Sequence, residues 1–265
     1  MILPTPNGAE VLRLLQIDPH HDSTPYSLPS IPYTAAMKHI GIVGVTAEGA
    51  ALCYQTICRE AAVKLGNYHH PEISIHTRSF HEILAAQEER NWNRVAGSLL
   101  DSIRKLEVMG AELIVIPANS VHYAIQIVRQ KSPLPILSIV EETADVCMQR
   151  GYKSAAVLGV GLTMSGGLYS DALKDRAIEY VLPPVTDQEH MNRIIYEEIV
   201  PKGTVSDKSL EKLIRVLDKL KTNDCEAAIL ACTELGIVIK EKNSPLPLLD
   251  STRILGERAL EEAIK

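Results

Sequence analysis

The 265-residue chain contains no apolar run approaching the roughly 18 residues that a membrane-spanning helix needs. Its opening stretch, MILPTPNGAEVLRLLQ, has no basic region followed by a long apolar core. These absences argue against a membrane span and a secretion signal, so a cytoplasmic location is expected. No block of Lys or Arg stands out, and 27 basic against 33 acidic residues give a net charge of −6. Nucleic acid and anionic membrane are therefore poor partners. Several catalytic signatures are missing too. There is no Gly-x-Ser-x-Gly elbow and no Walker A sequence, and GIVGVTAEG departs from the Gly-x-Gly-x-x-Gly dinucleotide fingerprint. No lysine can be singled out for a pyridoxal Schiff base. The five cysteines, Cys53, Cys58, Cys147, Cys225 and Cys232, include no Cys-x-x-Cys pair and no zinc-like pattern with histidine. That points to free thiols in a reducing compartment and to no metal site. For four of the five, a buried, small apolar role is expected.

What is present is the balance of an ordinary globular domain, with 46% hydrophobic and 23% charged residues. Residues 1 to about 37 are rich in Pro, Ser and His and read as an extension, with one short helix at 9–16. The His20-His21 pair reads as a solvated loop. From His39 onward, short β-rich runs alternate with helical patterns. The strands are IGIVGV (40–45), EISIHT (72–77), LIVIPA (113–118), PILSIV (135–140), AAVLGV (155–160), IEYVLP (178–183), AAILAC (227–232) and PLPLLD (245–250). Helices are predicted at 48–65, 91–109, from Ser120, at 141–150, after Thr163, at 186–200 and 206–222, and at the C-terminus. Apolar strands alternating with helices indicate an α/β fold with parallel sheets covered on both faces.

The pattern also repeats. SAAVLGVGLT (154–163) echoes HIGIVGVTAE (39–48), and EAAILACTEL (226–235) echoes AELIVIPANS (111–120). Gly44 to Ala118 is 74 positions and Gly159 to Cys232 is 73. Two pseudo-symmetric parallel-sheet domains with flanking helices are expected, meeting at an interdomain cleft. Residues 38–143 with 249–265 form the first and 144–248 the second. Ala118 then lies opposite Cys232, and Asn119 opposite Thr233. Ligands of open α/β sheets bind beyond the carboxyl ends of the strands. Four polar or glycine-rich turns sit there: 44–46, 117–120, 159–161 and 231–234. Cys232, ending a strand and opening a helix, reads either as a packed cysteine or as a thiol whose pKa is lowered by the helix N-terminus. Thr233 reads as a helix cap or a carboxylate ligand, and Glu234 as a partner for a ligand amine or for the helix dipole.

Five segments carry a family resemblance. IGIVGVTAEGAALCY resembles the first motif of the aspartate/glutamate racemase superfamily, and AELIVIPANSVHYA its Pro-Cys-Asn-Thr-x-His motif. VLGVGLTMSGGLY resembles the Leu-Gly-Thr-x-x-Thr-Met motif, ILACTEL the Gly-Cys-Thr-Glu-Leu motif, and LPLLDSTRIL the closing Asp-(Ser/Thr)-Thr segment. The resemblance runs from about Lys38 to the C-terminus. It implies an amino-acid racemase of the aspartate/glutamate type, an isomerase working without cofactor or metal, often as a homodimer. Two thiols flank the substrate α-carbon; one removes its proton and the other delivers a proton to the opposite face. Cys232 matches the second thiol. Asn119, Ser120, Thr163 and Thr233 match positions that hold the substrate's carboxylate and amino groups, and Thr46 lies in the first ligand-binding turn. Lys202, in EEIVPKG, falls near a basic residue for a side-chain carboxylate.

The first thiol is absent, because Ala118 stands at its position. An engineered Cys→Ala replacement, a natural one-thiol enzyme using Ser120, His122 or water on the other face, and a loss of racemisation are all compatible with that. The same superfamily includes single-cysteine arylmalonate decarboxylase-like enzymes, in which loss of carbon dioxide makes the carbanion. An amino-acid-binding protein with an inactive site is the third alternative.

Overall fold

A computed structural model describes residues 37–265; the helix expected at 9–16 and the His20-His21 pair lie outside the described residues. Strands β1 (Ile40–Gly44), β2 (Ile73–Thr77), β3 (Leu113–Val115) and β4 (Ile136–Leu137) form one parallel sheet in the order β2-β1-β3-β4. Strands β5 (Ser154–Leu158), β6 (Glu179–Val181), β7 (Ala227–Leu230) and β8 (Leu248–Asp250) form a second in the order β6-β5-β7-β8. The two orders are the same connectivity written twice. The register agrees as well: β1 meets β3 at Ile40 and Leu113, and β5 meets β7 at Ala155 and Ala227. That places Cys232 as the counterpart of Ala118.

Around the first sheet run α1 (Ala47–Leu65), α2 (Phe80–Glu88), α3 (Trp92–Val108), α4 (Ile125–Lys131) and α5 (Ile139–Gln149). With the second sheet come α6 (Gly161–Ser165), α7 (Ser170–Lys174), α8 (Val185–Ile194), α9 (Val200–Lys202), α10 (Asp207–Thr222) and α11 (Leu235–Val238). The C-terminal α12 (Ser251–Ala263) packs on α1 and α5. Among the described residues no helix is long and apolar enough to cross a membrane.

The apolar pattern explains the layering. On α3, Val95, Leu99, Ile103 and Leu106 fall on one stripe and are buried with the outer face of the first sheet. On α10, Leu213, Val216, Leu217 and Leu220 do the same for the second sheet. A third core lies between the sheets and draws on both. Ile42 and Val115 come from one sheet, Val157 and Ile229 from the other, with Ile57 of α1 and Ile254 of α12. A strand buried on both faces is apolar along its length, as β1 is throughout and β5 is after its first residue, Ser154.

The predicted strands are shorter than their apolar runs, three of them for reasons the structure shows. β4 stops at Leu137 because the Ser138 hydroxyl accepts from the Glu141 amide and starts α5 two residues early. The runs at 178–183 and 245–250 pair only over 179–181 and 248–250, and prolines flank both. The helix expected at 186–200 is broken by a π-helical turn at Ile195–Ile199. α2 is not foreseen from the sequence.

Side-chain hydrogen bonds tie the two sheets together where their strands end. The Tyr169 hydroxyl donates to Asn119 Oδ1 at 2.6 Å, and Asn119 Nδ2 donates to Ser251 Oγ at 3.1 Å. Ser251 Oγ donates on to the Leu230 carbonyl at 2.8 Å. Nearby, Tyr123 stacks on Trp92 and donates to the Leu162 carbonyl at 2.9 Å. Gly49 makes a close approach possible: a Cβ there would sit 2.6 Å from the Pro117 carbonyl oxygen. Tyr169 and Asn119 are both buried, so Tyr169→Phe leaves an amide oxygen without its partner. The expected cost is about 1–3 kcal/mol. It is measured as a lower urea midpoint with an unchanged denaturant slope.

Candidate active site

The cleft between the two sets of strand ends has a cavity of about 70 Å³ that opens to solvent. Its walls bring together Thr46, Ala118, Asn119, Ser120, Thr163, Cys232, Thr233 and Glu234, contributed by both sheets. Each is placed by a strand end. Thr46 follows β1 and caps α1, its hydroxyl accepting from the Gly49 amide at 3.2 Å. Ala118, Asn119 and Ser120 follow β3, and Gln87 of α2 donates to Ser120 Oγ at 2.9 Å. That bond leaves the Ser120 hydroxyl proton free to point into the cleft. Asn119 is fixed by Tyr169 and Ser251 and retains one amide hydrogen for a ligand.

Thr163 is fully buried on α6, and its Oγ1 has no hydrogen-bond partner among the described residues. A buried hydroxyl without a partner costs about 1–3 kcal/mol, so this atom is set for a polar group from outside the chain.

Cys232 is buried on the cleft wall, and its Sγ donates to Glu234 Oε2 at 3.1 Å. Here the sequence-based expectation is corrected. The thiol pKa is not lowered but pushed well above the usual cysteine value, first by burial and then by the adjacent Glu234 charge. The amides of Glu234 and Leu235 act the other way and are outweighed. The reason is geometric: α11 begins only at Leu235 and has four residues, so little helix dipole reaches the sulfur. Cys232 therefore rests as a protonated thiol. Of the other cysteines, Cys53, Cys147 and Cys225 are buried and Cys58 is half-buried, and none lines this cleft.

His122 is buried rather than capping an exposed turn. Its Nδ1 lies 2.8 Å from the Ala118 carbonyl, and its Nε2 accepts from the Ile139 amide at 3.3 Å. Both ring nitrogens are used, so the imidazole is a fixed neutral strut holding the Ala118 turn and not a proton carrier. Lys202 does not line the cleft. It ends α9 on the exposed surface beside Gly203, where its ammonium keeps its water. Val45, Val160 and Ala231, in turns that the sequence sets at the strand ends, also line the cleft; Phe80, Gln87, Tyr196 and Val200 are the lining residues that sequence reasoning passed over. Phe80, Ile83, Leu84 and Gln87 fall at helical spacing, and that short pattern is the signal for α2. Among the described residues there is no group of three or more His, Cys, Asp or Glu suited to a metal ion.

With this geometry in view, the chain compares with known proteins as follows. The Asp/Glu/hydantoin racemase family matches residues 42–259. The chain belongs to that family. Membership makes it an isomerase, and the two four-stranded parallel sheets are the family's architecture. Over 161 residues it is 27% identical to the broad specificity amino-acid racemase RacX of Bacillus subtilis, spanning 60% of this chain and 68% of that protein. An aspartate racemase homologue from Pyrococcus horikoshii OT3 is 31% identical, with a TM-score of 0.76 over 86% of this chain and 100% of the other. An aspartate racemase from Picrophilus torridus, 23% identical, shares the fold at a TM-score of 0.73 over 85% of this chain and 94% of its own.

Two outcomes follow from the charges in this racemase-family cleft. Glu234→Gln removes the negative neighbour of Cys232, so the thiol pKa falls and alkylation of Cys232 moves to lower pH; mass spectrometry of the labelled peptide reads this out. Burial depresses the pKa of His122 from 6.5 to about 4. The unfolded chain therefore takes up a proton first, at higher pH. The stability carried by neutral His122 is full above about 6.5 and is lost as pH falls through that value to about 4, at about 1.4 kcal/mol per pH unit. In His122→Gln the acid slope of the urea midpoint over that window should flatten.

Proposed function

We propose that the protein is a cofactor-independent amino-acid racemase that transfers protons at the substrate α-carbon through one thiol, Cys232. The hydrogen bond from Cys232 to Glu234, on the wall of a cleft that also carries Ala118, supports this reading most strongly. In it, residues 38–143 with 249–265 form one lobe and 144–248 the other.

The substrate carboxylate lies against the donors of Asn119, Ser120, Thr163 and Thr233, with Thr46 beside them, and Thr163 Oγ1 gains its missing partner. The α-ammonium lies near Glu234, the one charged side chain among the described residues that line the cleft. A cation there offsets the carboxylate that keeps the thiol protonated. The thiol proton passes to Glu234 Oε2 along the existing bond, leaving a thiolate. The thiolate takes the α-proton, and the electron pair stays on the substrate as a planar carbanion. A proton returned by Cys232 restores the starting hand. A proton delivered from the Ala118 side, by Ser120 or by water in the space a sulfur would fill, gives the other; the proton held on Glu234 then passes through water to the alkoxide or hydroxide left behind, which restores the resting state. Catalysis rests on placing acid and base within hydrogen-bond reach, with pKa values matched to the task.

A second reading is favoured by one observation. Cys232 rests as a proton donor, which is all a single-thiol decarboxylase requires once loss of carbon dioxide has made the carbanion.

The experiment is to incubate the protein with separate L- and D-amino acids in heavy water and follow the α-proton by NMR. Exchange faster from one enantiomer than the other is expected, lost about 10²–10⁴-fold in Cys232→Ser. Ala118→Cys should raise interconversion of the two hands by a comparable factor. No exchange from any amino acid, with carbon dioxide released from a substituted malonate, selects the decarboxylase. Tight amino-acid binding with neither reaction selects a binding protein.

A further inference from the structure

The cleft has two chemically different walls. One is the set of hydroxyl, amide and carboxylate groups just described. The other comes from elements at the mouth: Val45 after β1, Phe80 at the start of α2, Val160 after β5, Tyr196 in the π-helical turn and Val200 at the start of α9. Tyr196 and Val200 are 46% and 38% exposed, so among the described residues two large apolar surfaces are left open at the cleft. Apart from Gln87, whose amide is spent on Ser120, this wall carries no polar side chain except the Tyr196 hydroxyl. Burial first, then the neighbouring Cys232, Glu88 and Glu234, make that phenol harder to ionise.

A carboxylate on the substrate side chain fits such a wall badly. It would lose its water against Phe80 and three valines, find no cation, and face the charge of Glu234. Lys202, placed by the sequence near a basic position, points its charge to solvent elsewhere. An apolar side chain, by contrast, covers Tyr196 and Val200 and displaces water from Phe80.

We infer that the protein selects amino acids with an uncharged, largely apolar side chain, lodged against Phe80, Val160, Tyr196 and Val200, rather than aspartate or glutamate. This rests on the proton-transfer reading only for the direction in which the substrate lies, with its ammonium at Glu234.

Binding and turnover are measured separately, so that the two ideas can fail separately. Both enantiomers of alanine, valine, methionine, phenylalanine, lysine, aspartate and glutamate are titrated calorimetrically and assayed for α-proton exchange in heavy water. Expected is at least tenfold tighter binding of valine, methionine or phenylalanine than of aspartate or glutamate, with exchange following the same order. Apolar preference in binding without exchange still supports the side-chain assignment while sinking the racemase reading. Exchange from aspartate or glutamate in preference to the apolar set supports the racemase reading and overturns the assignment. Preference for lysine, or no binding across the panel, overturns it too. A second variant keeps the test independent of the wild-type ranking. Val200→Arg, at an exposed position that tolerates the change, places a cation on the apolar wall. Aspartate affinity should rise at least tenfold and valine affinity should fall; a folded variant with neither change counts against this wall as the side-chain site.

Discussion

Everything at the cleft depends on one buried chain of hydrogen bonds. Tyr169 gives its proton to Asn119, Asn119 gives one to Ser251, and Ser251 gives one to the backbone at the end of β7. Asn119 hangs from the first sheet, whereas the other three belong to, or follow, the second. Each donor and acceptor is removed from water, so breaking any link leaves a polar atom unsatisfied. Together with the Tyr123–Leu162 bond, the chain therefore helps to fix the distance between the strand ends of the two sheets, and that distance sets the gap between Ala118 and Cys232. The His122 strut serves the same end from the other side, pinning the Ala118 carbonyl to the first turn of α5.

The electrostatics of the cleft follow from burial more than from helices. Short α11 and short α6 lend little dipole to Cys232 or Thr163, and the thiol is governed by the lost water and by Glu234. A resting thiol beside a carboxylate is a poor base until a cation arrives, and the α-ammonium of an amino acid is such a cation. In this arrangement the substrate supplies part of the activation of its own catalyst. On the proposed mechanism the thiolate forms only when substrate is bound, and the resting thiol of an empty cleft is a poor target for alkylation and oxidation.

Much of this was legible in the sequence, and the reason is physical. A parallel strand buried on both faces must be apolar throughout, and the polar residues that follow it mark its carboxyl end, so IGIVGVT, LIVIPANS, VLGVGLT and ILACTEL announced both the sheets and the rim of the cleft. The doubled spacing announced the repeated strand order. What stayed hidden belonged to tertiary contact. The shift of the Cys232 thiol depends on where Glu234 points and on how little helix follows, and neither is written in ACTEL. The fate of His122 turned on an amide seventeen residues away. Lys202 was placed by analogy of position, yet an ammonium on the last turn of a three-residue helix is cheapest in water. α2 was passed over because one short amphipathic pattern, Phe80 to Gln87, is weak beside the long ones around it.

The two halves share a connectivity but not a chemistry. The second half presents a thiol, a carboxylate and a fully buried hydroxyl; the first presents a methyl group, an amide and a hydroxyl, backed by an imidazole that is kept neutral. All the proton traffic that side chains can carry with ease therefore lies on one face of a bound α-carbon. Under the proposed one-thiol mechanism, a symmetric fold with such an asymmetric pair of strand ends removes and restores a proton on the Cys232 face far faster than it delivers one to the Ala118 face. Inversion is then governed by the slower face and depends on how well a small donor is held in the space beside Ala118. Ser120, two residues beyond Ala118, is held by Gln87 from α2, so in the proposed mechanism the helix that the sequence concealed also positions the first half's hydroxyl donor.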